Sequence, residues 1–309
     1  MRLIKPSYEI WEQESGLEGI YKMIEKVGRV CYKSEDKIAE GTAKPFVGRL
    51  MKSGHGAMLE HGTVYLRSSY DISVIGGWRH SIGYKYSSNP YSRVTIDENA
   101  DFRGIYVTTN LRVLVNNGWL DDLKYLCEPT EYHTKRITVH FVCDRGVSHE
   151  FVRHRTFSFA QESTRYCNYS KDKFGNELTF IIPNWFNIPE GSYKPWMFAG
   201  FNLEDNKRWS ALAGNEKNFN GIQIFFNQIS CASDNYGELI HYGFTPQEAR
   251  AVLPNALKTE LVMTGFVNES GWINFFNLRA LGTTGAPHPQ AKELAEPLFE
   301  EFKAKGLIK

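Results

Sequence analysis

The amino-acid sequence predicts an α+β (mixed α/β) fold, in which helices flank a twisted, largely antiparallel sheet. Three observations favour it. Apolar residues recur at the helical period along several segments, the first of which begins near Ser15. Between them, Ile137, Val139 and Phe141 alternate with other residues, as in a half-buried strand. A Rossmann domain is not expected, because the segment that begins at Gly54 carries Leu59 where the third glycine of GxGxxG is needed.

At about 150 residues per domain, the length suggests two ordinary domains or one large one, and the composition predicts a substantial core. The chain has 309 residues, of which 42% are hydrophobic and 23% charged. We expect a single domain over 1–309, with looser insertions at about 71–133 and 187–218. The 36 basic and 35 acidic side chains nearly cancel to a net charge of +1. This balance argues against a protein that holds nucleic acid mainly by neutralising phosphates.

The sequence favours a cytoplasmic location and no metal site. It contains no run of 18 apolar residues, and its start lacks the apolar stretch of a secretory signal. The five cysteines are scattered without a CxxC pair, which is typical of reduced thiols. His55 and His61 lack the HExxH spacing of a zinc site.

The remaining pattern predicts the elements in order. Ser15 and Glu18 have capping-box spacing at the start of the first helix, and Asp144 can cap a short helix after the 137–142 strand. Thr245, Pro246 and Glu248 form a strong helix start. Further helices are predicted at 45–53, 111–126, 222–239, 256–267, 272–281 and 290–305, and a strand at about 63–67.

The densest chemistry lies in the segment 153–166, which contains three arginines, a histidine, two serines, a glutamine and a glutamate. Clustered arginines repel one another unless an anion compensates them, and a guanidinium fork suits phosphate or carboxylate. Surface salt bridges are the alternative, but only Glu150 and Glu162 are near in sequence. The segment therefore predicts a site for a phosphorylated ligand, with Phe157, Phe159 and Tyr166 as flat surface for a ring system.

This segment resembles the RHR-x7-S signature of flavin-dependent thymidylate synthases (ThyX). Arg153-His154-Arg155 is followed by seven residues and then Ser163, and Arg165 and Tyr166 match the extended signature. Three other segments resemble the family in the right order: Gly54-His55 with Glu60-His61, Ala249 to Pro254 (AR-x-VLP), and Asn268 with Asn274 to Arg279 (N…NF-x-NLR).

The resemblance implies reductive methylation of dUMP to dTMP. Methylene-tetrahydrofolate would supply the carbon, and FAD reduced by NADPH would supply the hydride. It also implies that FAD lies between the subunits of a homotetramer. The balanced charge and the lack of a long apolar run predict no nucleic-acid or membrane partner. The implied cofactor-binding residues are His55, Glu60, Arg153, His154, Arg155, Gln161, Asn268, Ser270 and Asn274. The implied substrate-binding residues are Glu150, Arg153, Gln161, Glu162, Ser163, Thr164, Arg165, Lys258 and Arg279.

Arg279 is the implied catalytic residue. Carbon 5 of uracil is a poor nucleophile until negative charge develops on the ring, and a guanidinium can stabilise that charge while remaining protonated. Ser163 has no assured adjacent base, so we expect its hydroxyl to donate to the phosphate rather than act as a nucleophile.

The sequence departs from the family at a few positions. Glu260 stands where members often carry an arginine that contributes to dUMP binding from another subunit, and a carboxylate cannot bind a phosphate in that way. Lys258 could supply the charge, but on a helix it would point to a different side. Ser270 and Ala57 replace Arg and Thr, and His288 could approach the flavin or cap the last helix.

Two alternatives stay open. A relative that modifies the same nucleotide differently, for instance by hydroxymethylating dUMP, would share every motif. A non-catalytic nucleotide or single-stranded nucleic-acid binder could use the same arginines, and the Trp78-Arg79-His80 segment with its tyrosines could stack on bases. The neutral net charge argues against the binder.

Overall fold

The computed structural model describes residues 1–71, 78–97, 102–169, 171, 177–194 and 210–309, and within them it has three sheets. The strands are β1 (Arg2–Ile4), β2 (Ser7–Trp11), β3 (Thr63–Asp71), β4 (Arg93–Asp97), β5 (Phe102–Asn110), β6 (Arg136–Asp144), β7 (Ser158–Gln161), β8 (Thr179–Ile181), β9 (Gly191–Ser192) and β10 (Lys258–Phe266). The helices are α1 (Gly16–Val30), α2 (Ala43–Ser53), α3 (Gly56–Leu59), α4 (Ile82–Ser87), α5 (Leu111–Asn117), α6 (Arg145–Phe151), α7 (Glu216–His241), α8 (Pro246–Ala249), α9 (Trp272–Phe276) and α10 (Pro289–Ala304).

The predicted fold class is confirmed, since helices flank largely antiparallel sheets. The four-stranded sheet has the order β2-β6-β10-β7, and every neighbouring pair in it is antiparallel. A second antiparallel sheet has the order β3-β5-β4. The third, β8-β1-β9, contains the parallel pair of β1 with β8. The strands are thus divided among three sheets.

The helix predicted at 256–267 is wrong, because these residues form β10 at the interior of the four-stranded sheet. Both faces of this strand are covered. Leu261 and Met263 pack with α9 and α10, whereas Val262 packs on the other side with Val27 and Val30 of α1. A strand buried on both faces shows a continuous apolar run, which periodicity cannot distinguish from a buried helix.

Capping signals are predicted at three helix starts, of which two are confirmed and one is wrong. Asp144 caps α6 as predicted, with its Oδ1 accepting from the Val147 N–H at 2.7 Å. Glu248 accepts from the Thr245 N–H at 2.8 Å, which confirms the start of α8. The Ser15–Glu18 capping box is wrong, because the Ser15 hydroxyl donates instead to Glu128 at 2.8 Å.

The predicted helices at 45–53, 222–239, 272–281 and 290–305 are confirmed, with small shifts at their ends. The 111–126 patch divides into α5 and a 3₁₀ helix, Leu120–Tyr125. Gly118 separates them, since its left-handed backbone (φ 69°) ends α5. The predicted strand at 63–67 forms the first half of β3.

The segment predicted as an insertion, 71–133, supplies β4, β5 and α5 in the described ranges. Its sheet shares an apolar core with α1, in which Ile20 and Ile24 meet Val64, Leu66 and Ile105. Of the other predicted insertion, 187–218, residues 195–209 lie outside the described residues. The division into one domain with two insertions stays a prediction. In the described part of the chain, no helix is long and apolar enough to cross a membrane.

Gly265 of β10 offers a test of how tightly this sheet packs beside the RHR segment. A Cβ at this position would lie 2.4 Å from the Phe157 ring. We therefore expect Gly265→Ala to lower the free energy of unfolding by about 1–3 kcal/mol through overpacking. Denaturant-induced unfolding measures the change.

Gly48→Ala is the matched control, because a Cβ there would meet nothing within 4 Å in helix α2. It should raise the free energy of unfolding by about 0.5–1 kcal/mol. Equal effects of the two substitutions would show that Phe157 does not constrain Gly265.

Candidate functional site

A cavity of about 380 Å³ forms where the turn after α6 meets α9 and the turn that follows α9. It gathers six residues that the sequence implicated, although they come from segments more than 100 positions apart. The lining residues are Arg153, His154, Arg155, Thr156, Ser270, Asn274, Leu278 and Arg279.

Short contacts fix the two segments that border this cavity. The Thr156 hydroxyl donates to the Ser270 carbonyl at 2.6 Å. Asn268 does not line the cavity, but its Oδ1 accepts from the Gly271 N–H at 2.9 Å and so shapes the turn before α9. Phe275 of α9 packs beneath the site, with its ring centroid 5.1 Å from that of His154.

Arg279 is held in place by neighbouring groups on the RHR side of the cavity. It lies in a π-helical turn, Asn277–Leu281, a geometry that is frequent at functional sites. One guanidinium nitrogen, Nη1, forms an ion pair with the Glu150 carboxylate, and Nη2 donates to the Glu150 carbonyl at 3.0 Å. The third, Nε, donates to His154 Nε2 at 3.2 Å.

The His154 imidazole is therefore neutral at physiological pH. Burial, together with the nearby Arg279 guanidinium, lowers the pKa of His154 to about 4. Because Nε2 accepts from Arg279, the ring proton is assigned to Nδ1. A neutral histidine accepts this hydrogen bond without repelling the arginine.

Arg153 and Arg155 differ from Arg279, because no carboxylate among the described residues compensates their charge. Both are exposed, and neither forms an ion pair with any carboxylate among the described residues. Arg165 is exposed as well, with its guanidinium carbon 5.3 Å from the centre of the Tyr166 ring. None of these arginines forms a salt bridge with a described carboxylate, as the alternative interpretation would require, so an anion could be bound without breaking such pairs.

The residues that follow β7 form a second group, in which the side chains of 162–164 hydrogen-bond to other residues of the chain. Glu162 is 2% exposed and accepts from the Tyr169 hydroxyl at 2.9 Å and from Lys258 Nζ at 2.8 Å. Thr164 accepts from Arg250 at 3.2 Å. Ser163 Oγ accepts from the Arg165 N–H at 3.3 Å.

Gln161, at the end of β7, faces α6 and β10. Its amide nitrogen donates to the Ser148 hydroxyl at 2.9 Å and to the Thr259 hydroxyl at 3.2 Å. For this group, as for the cavity-lining residues, the predicted cofactor and substrate roles stay predictions.

Lys258 and Glu260 share one side of β10, which corrects the helical geometry expected for them. Residues two apart on a strand point the same way, and Lys258 Nζ lies 2.5 Å from Glu260 Oε1. Sequence reasoning missed Lys33, whose Nζ lies 2.8 Å from the same oxygen, and His140, whose Nε2 lies 3.0 Å from Glu260 Oε2. No spacing in the sequence could join Lys33 to Glu260, because they are 227 positions apart.

These contacts set the charge of Glu260. Burial raises the pKa of this carboxyl, but the hydrogen bond from His140 and the two ammonium groups outweigh burial and hold the pKa well below its usual range. Glu260 is thus a buried anion with its partners already in place.

His55 and Glu60 lie outside the arginine-lined cavity. His55 is exposed just before α3, and Glu60 forms an ion pair with Arg112 of α5. Glu60 and Arg112 line a separate cavity of about 170 Å³ together with asparagines of the 71–133 segment. Another cavity, of about 450 Å³ beside β2 and β3, holds none of the predicted site residues.

His288 occupies the N-cap position of α10 but forms no capping hydrogen bond through its side chain. Its ring centroid lies 6.2 Å from that of Trp185. No group of three or more metal-ligating side chains is found within the described ranges.

Comparison with known proteins identifies the family. The model of the thymidylate synthase complementing protein family matches residues 128–305, which contain all the cavity-lining segments. The flavin-dependent thymidylate synthase of Geobacter sulfurreducens is 28% identical over 135 residues, 44% of this chain and 43% of that protein. Those of Corynebacterium aurimucosum and Corynebacterium diphtheriae are 23% and 22% identical, over 87% and 97% of this chain and 72% and 82% of theirs.

The family match covers more than half of the chain, so the chain belongs to the flavin-dependent thymidylate synthase (ThyX) family. The match to the Geobacter protein spans less than half of that relative's length. Among solved structures, the UMP/dUMP methylase PolB from Streptomyces cacaoi, bound with 5-Br dUMP, aligns over 99% of this chain and 93% of its own. Its TM-score is 0.43 and its identity 16%.

The contact between Arg279 and His154 can be tested by titration. In Arg279→Met we expect the pKa of His154 to rise from about 4 but to stay below 6.5, because burial, its larger cause, remains. NMR titration of the His154 ring measures this. Lys44→Met, on the exposed side of α2, is the control and should leave the pKa unchanged.

The same pKa predicts how the stability of the wild type depends on pH. The unfolded chain binds a proton at His154 near pH 6.5, whereas the folded chain binds it only near pH 4. The contribution of the neutral His154 to the free energy of unfolding is therefore fully present above pH 6.5 and is lost as the pH falls through this window. A His154 pKa near 6.5 in the folded wild type would contradict the assignment.

Proposed function

We propose that this chain catalyses the reductive methylation of dUMP to dTMP, with FAD as cofactor and NADPH and methylene-tetrahydrofolate as co-substrates. The single observation that carries the proposal is the cavity that joins Arg153, His154 and Arg155 to Asn274 and Arg279. Membership of the family supports it.

The residues around the cavity fit a dinucleotide flavin. FAD carries a pyrophosphate, and the exposed guanidinium groups of Arg153 and Arg155 are cations without a described carboxylate partner beside the cavity. Asn274 and Ser270 add neutral polar groups to the lining. When bound, the flavin supplies the hydride that completes the methyl group.

Arg279 suits an electrostatic role at the uracil ring. Its ion pair with Glu150 and its hydrogen bond to His154 orient the guanidinium before any ligand is bound. Such a preorganised cation stabilises negative charge that develops on the pyrimidine as carbon 5 becomes nucleophilic. Because arginine stays protonated, it does not act as the proton acceptor.

We also propose that the site is completed by other subunits in a homotetramer. Within one chain, His55 and Glu60 do not line the arginine-lined cavity, although the family resemblance places them at the flavin. Exposure of Arg153, Arg155 and Tyr166 supports the same arrangement, because these side chains are free to meet a ligand shared between chains.

The purified protein should be yellow and should release tritium from [5-³H]dUMP when FAD, NADPH and methylene-tetrahydrofolate are present. Mass spectrometry should identify the product as dTMP. Arg279→Met should slow tritium release by about 100-fold or more, as loss of an electrostatic stabiliser does, while the flavin absorbance is retained.

Other outcomes select other functions. A product heavier than dTMP by one oxygen atom would indicate hydroxymethylation of the same nucleotide instead. A colourless protein that neither takes up FAD nor consumes NADPH would overturn the enzyme proposal in favour of a nucleotide binder.

Ser163 tests whether the reaction uses a serine nucleophile. No described histidine or carboxylate hydrogen-bonds its hydroxyl, which accepts from the Arg165 N–H. We expect Ser163→Ala to retain turnover, reduced about tenfold by the loss of one hydrogen bond to the phosphate. Single-turnover assays measure the rate. A covalent adduct between Ser163 and the nucleotide, trapped by acid quench, would contradict this role.

A further inference from the structure

We infer that Lys258 and Lys33 are positioning residues, which hold the 162–165 loop in place through buried carboxylates rather than binding the nucleotide phosphate. The inference rests on the proposed function, since it concerns the loop that would bind dUMP. It also assigns a purpose to Glu260, where the family resemblance leads one to expect a cation.

Ion pairs join both lysines to carboxylates at one end of β10. Lys258 Nζ lies 2.8 Å from Glu162 Oε2 and 2.5 Å from Glu260 Oε1. Lys33 Nζ lies 2.8 Å from the same Glu260 oxygen and 3.0 Å from Glu35. Lys258 therefore connects the β10 carboxylate to the first residue of the loop.

Carboxylates outnumber ammonium groups around these lysines. Two ammonium groups face three carboxylates, and the carboxylate side chains of Glu162 and Glu260 are 1% and 11% exposed. A phosphate brought to Lys258 would enter a cluster that already has more negative than positive charges, and it would compete with buried carboxylates that cannot leave. Arg153, Arg155 and Arg165, which form no ion pair with a described carboxylate, are better placed to bind an anion.

Backbone hydrogen bonds also join the 162–165 loop to β10 and to the segment after α1. The Glu162 N–H donates to the Glu260 carbonyl at 2.9 Å, and the Ser163 N–H donates to the Cys31 carbonyl at 3.0 Å. The segment after α1 thus contributes both a backbone acceptor, at Cys31, and the Lys33 ammonium. Lys33 has φ 49°, an unfavourable value for a residue other than glycine, which indicates that tertiary contacts hold it there.

Loss of one lysine should therefore loosen the loop through an unpaired buried carboxylate. In Lys258→Met, we expect the amides of 162–166 to exchange hydrogen at least about tenfold faster and the KM for dUMP to rise about tenfold, with a smaller change in kcat. Flavin affinity should not change. Hydrogen exchange with mass spectrometry and steady-state kinetics measure these effects, and Lys44→Met is the matched control.

A second substitution distinguishes positioning from phosphate binding. If Lys258 acts by neutralising Glu162, then Lys258→Met combined with Glu162→Gln removes the unpaired charge and should return both exchange and KM to the values of Glu162→Gln alone. If Lys258 binds the phosphate, the double variant will bind dUMP no better than Lys258→Met, and the inference is overturned. Unchanged exchange and KM in Lys258→Met would overturn it too.

The readouts keep the two proposals separate. Wild-type enzyme without turnover refutes the proposed reaction, whereas the exchange measurement tests the loop without any activity. Should Lys258→Met fail to fold, Lys33→Gln tests the other end of the network. Because Glu260 then keeps Lys258 and His140 as partners, we expect increases in exchange and KM that are smaller than about tenfold, and the absence of any increase would overturn the inference.

Discussion

The ion pair between Glu150 and Arg279 is the interaction on which the candidate site depends. These residues are 129 positions apart, and their pairing fixes the end of α6 against the π-helical turn after α9. Beneath it, Phe275 packs against Phe151 with ring centroids 5.0 Å apart, so charge above and aromatic packing below hold the same two segments together. Without the pair, a half-buried guanidinium and a carboxylate would each have to find other partners.

The cationic side chains of the site fall into two groups, those paired with carboxylates and those that are exposed. Arg279, Lys258 and Lys33 each form an ion pair with a carboxylate, and these pairs hold the segments around the site in place. Arg153 and Arg155 remain exposed without described partners. Guanidinium groups that lie close together without a neutralising carboxylate repel one another, and a bound anion reduces this repulsion. This is the physical basis for the proposed cofactor and nucleotide.

The 71–133 segment contacts the His55–Glu60 segment outside the arginine-lined cavity. Arg112 of α5 pairs with Glu60, and a Cβ at Gly56 would lie 3.0 Å from Arg112 Nε. The absence of a side chain at Gly56 therefore allows the arginine to approach the short α3 helix. In this way the antiparallel sheet β3-β5-β4 is joined to the His55–Glu60 segment that the family resemblance places at the flavin.

The sequence alone determined the local features, because they depend on neighbours within a few residues. The period of α1, the Asp144 cap, the Thr245–Glu248 start and the RHR-x7-S motif could all be read directly. Only the tertiary structure decided that 258–266 is a strand and that Glu260 has Lys33 as a partner. A strand buried on both faces loses the alternation that marks strands, and a pair 227 positions apart is brought together only by the packing of α1 and its following turn against the sheet.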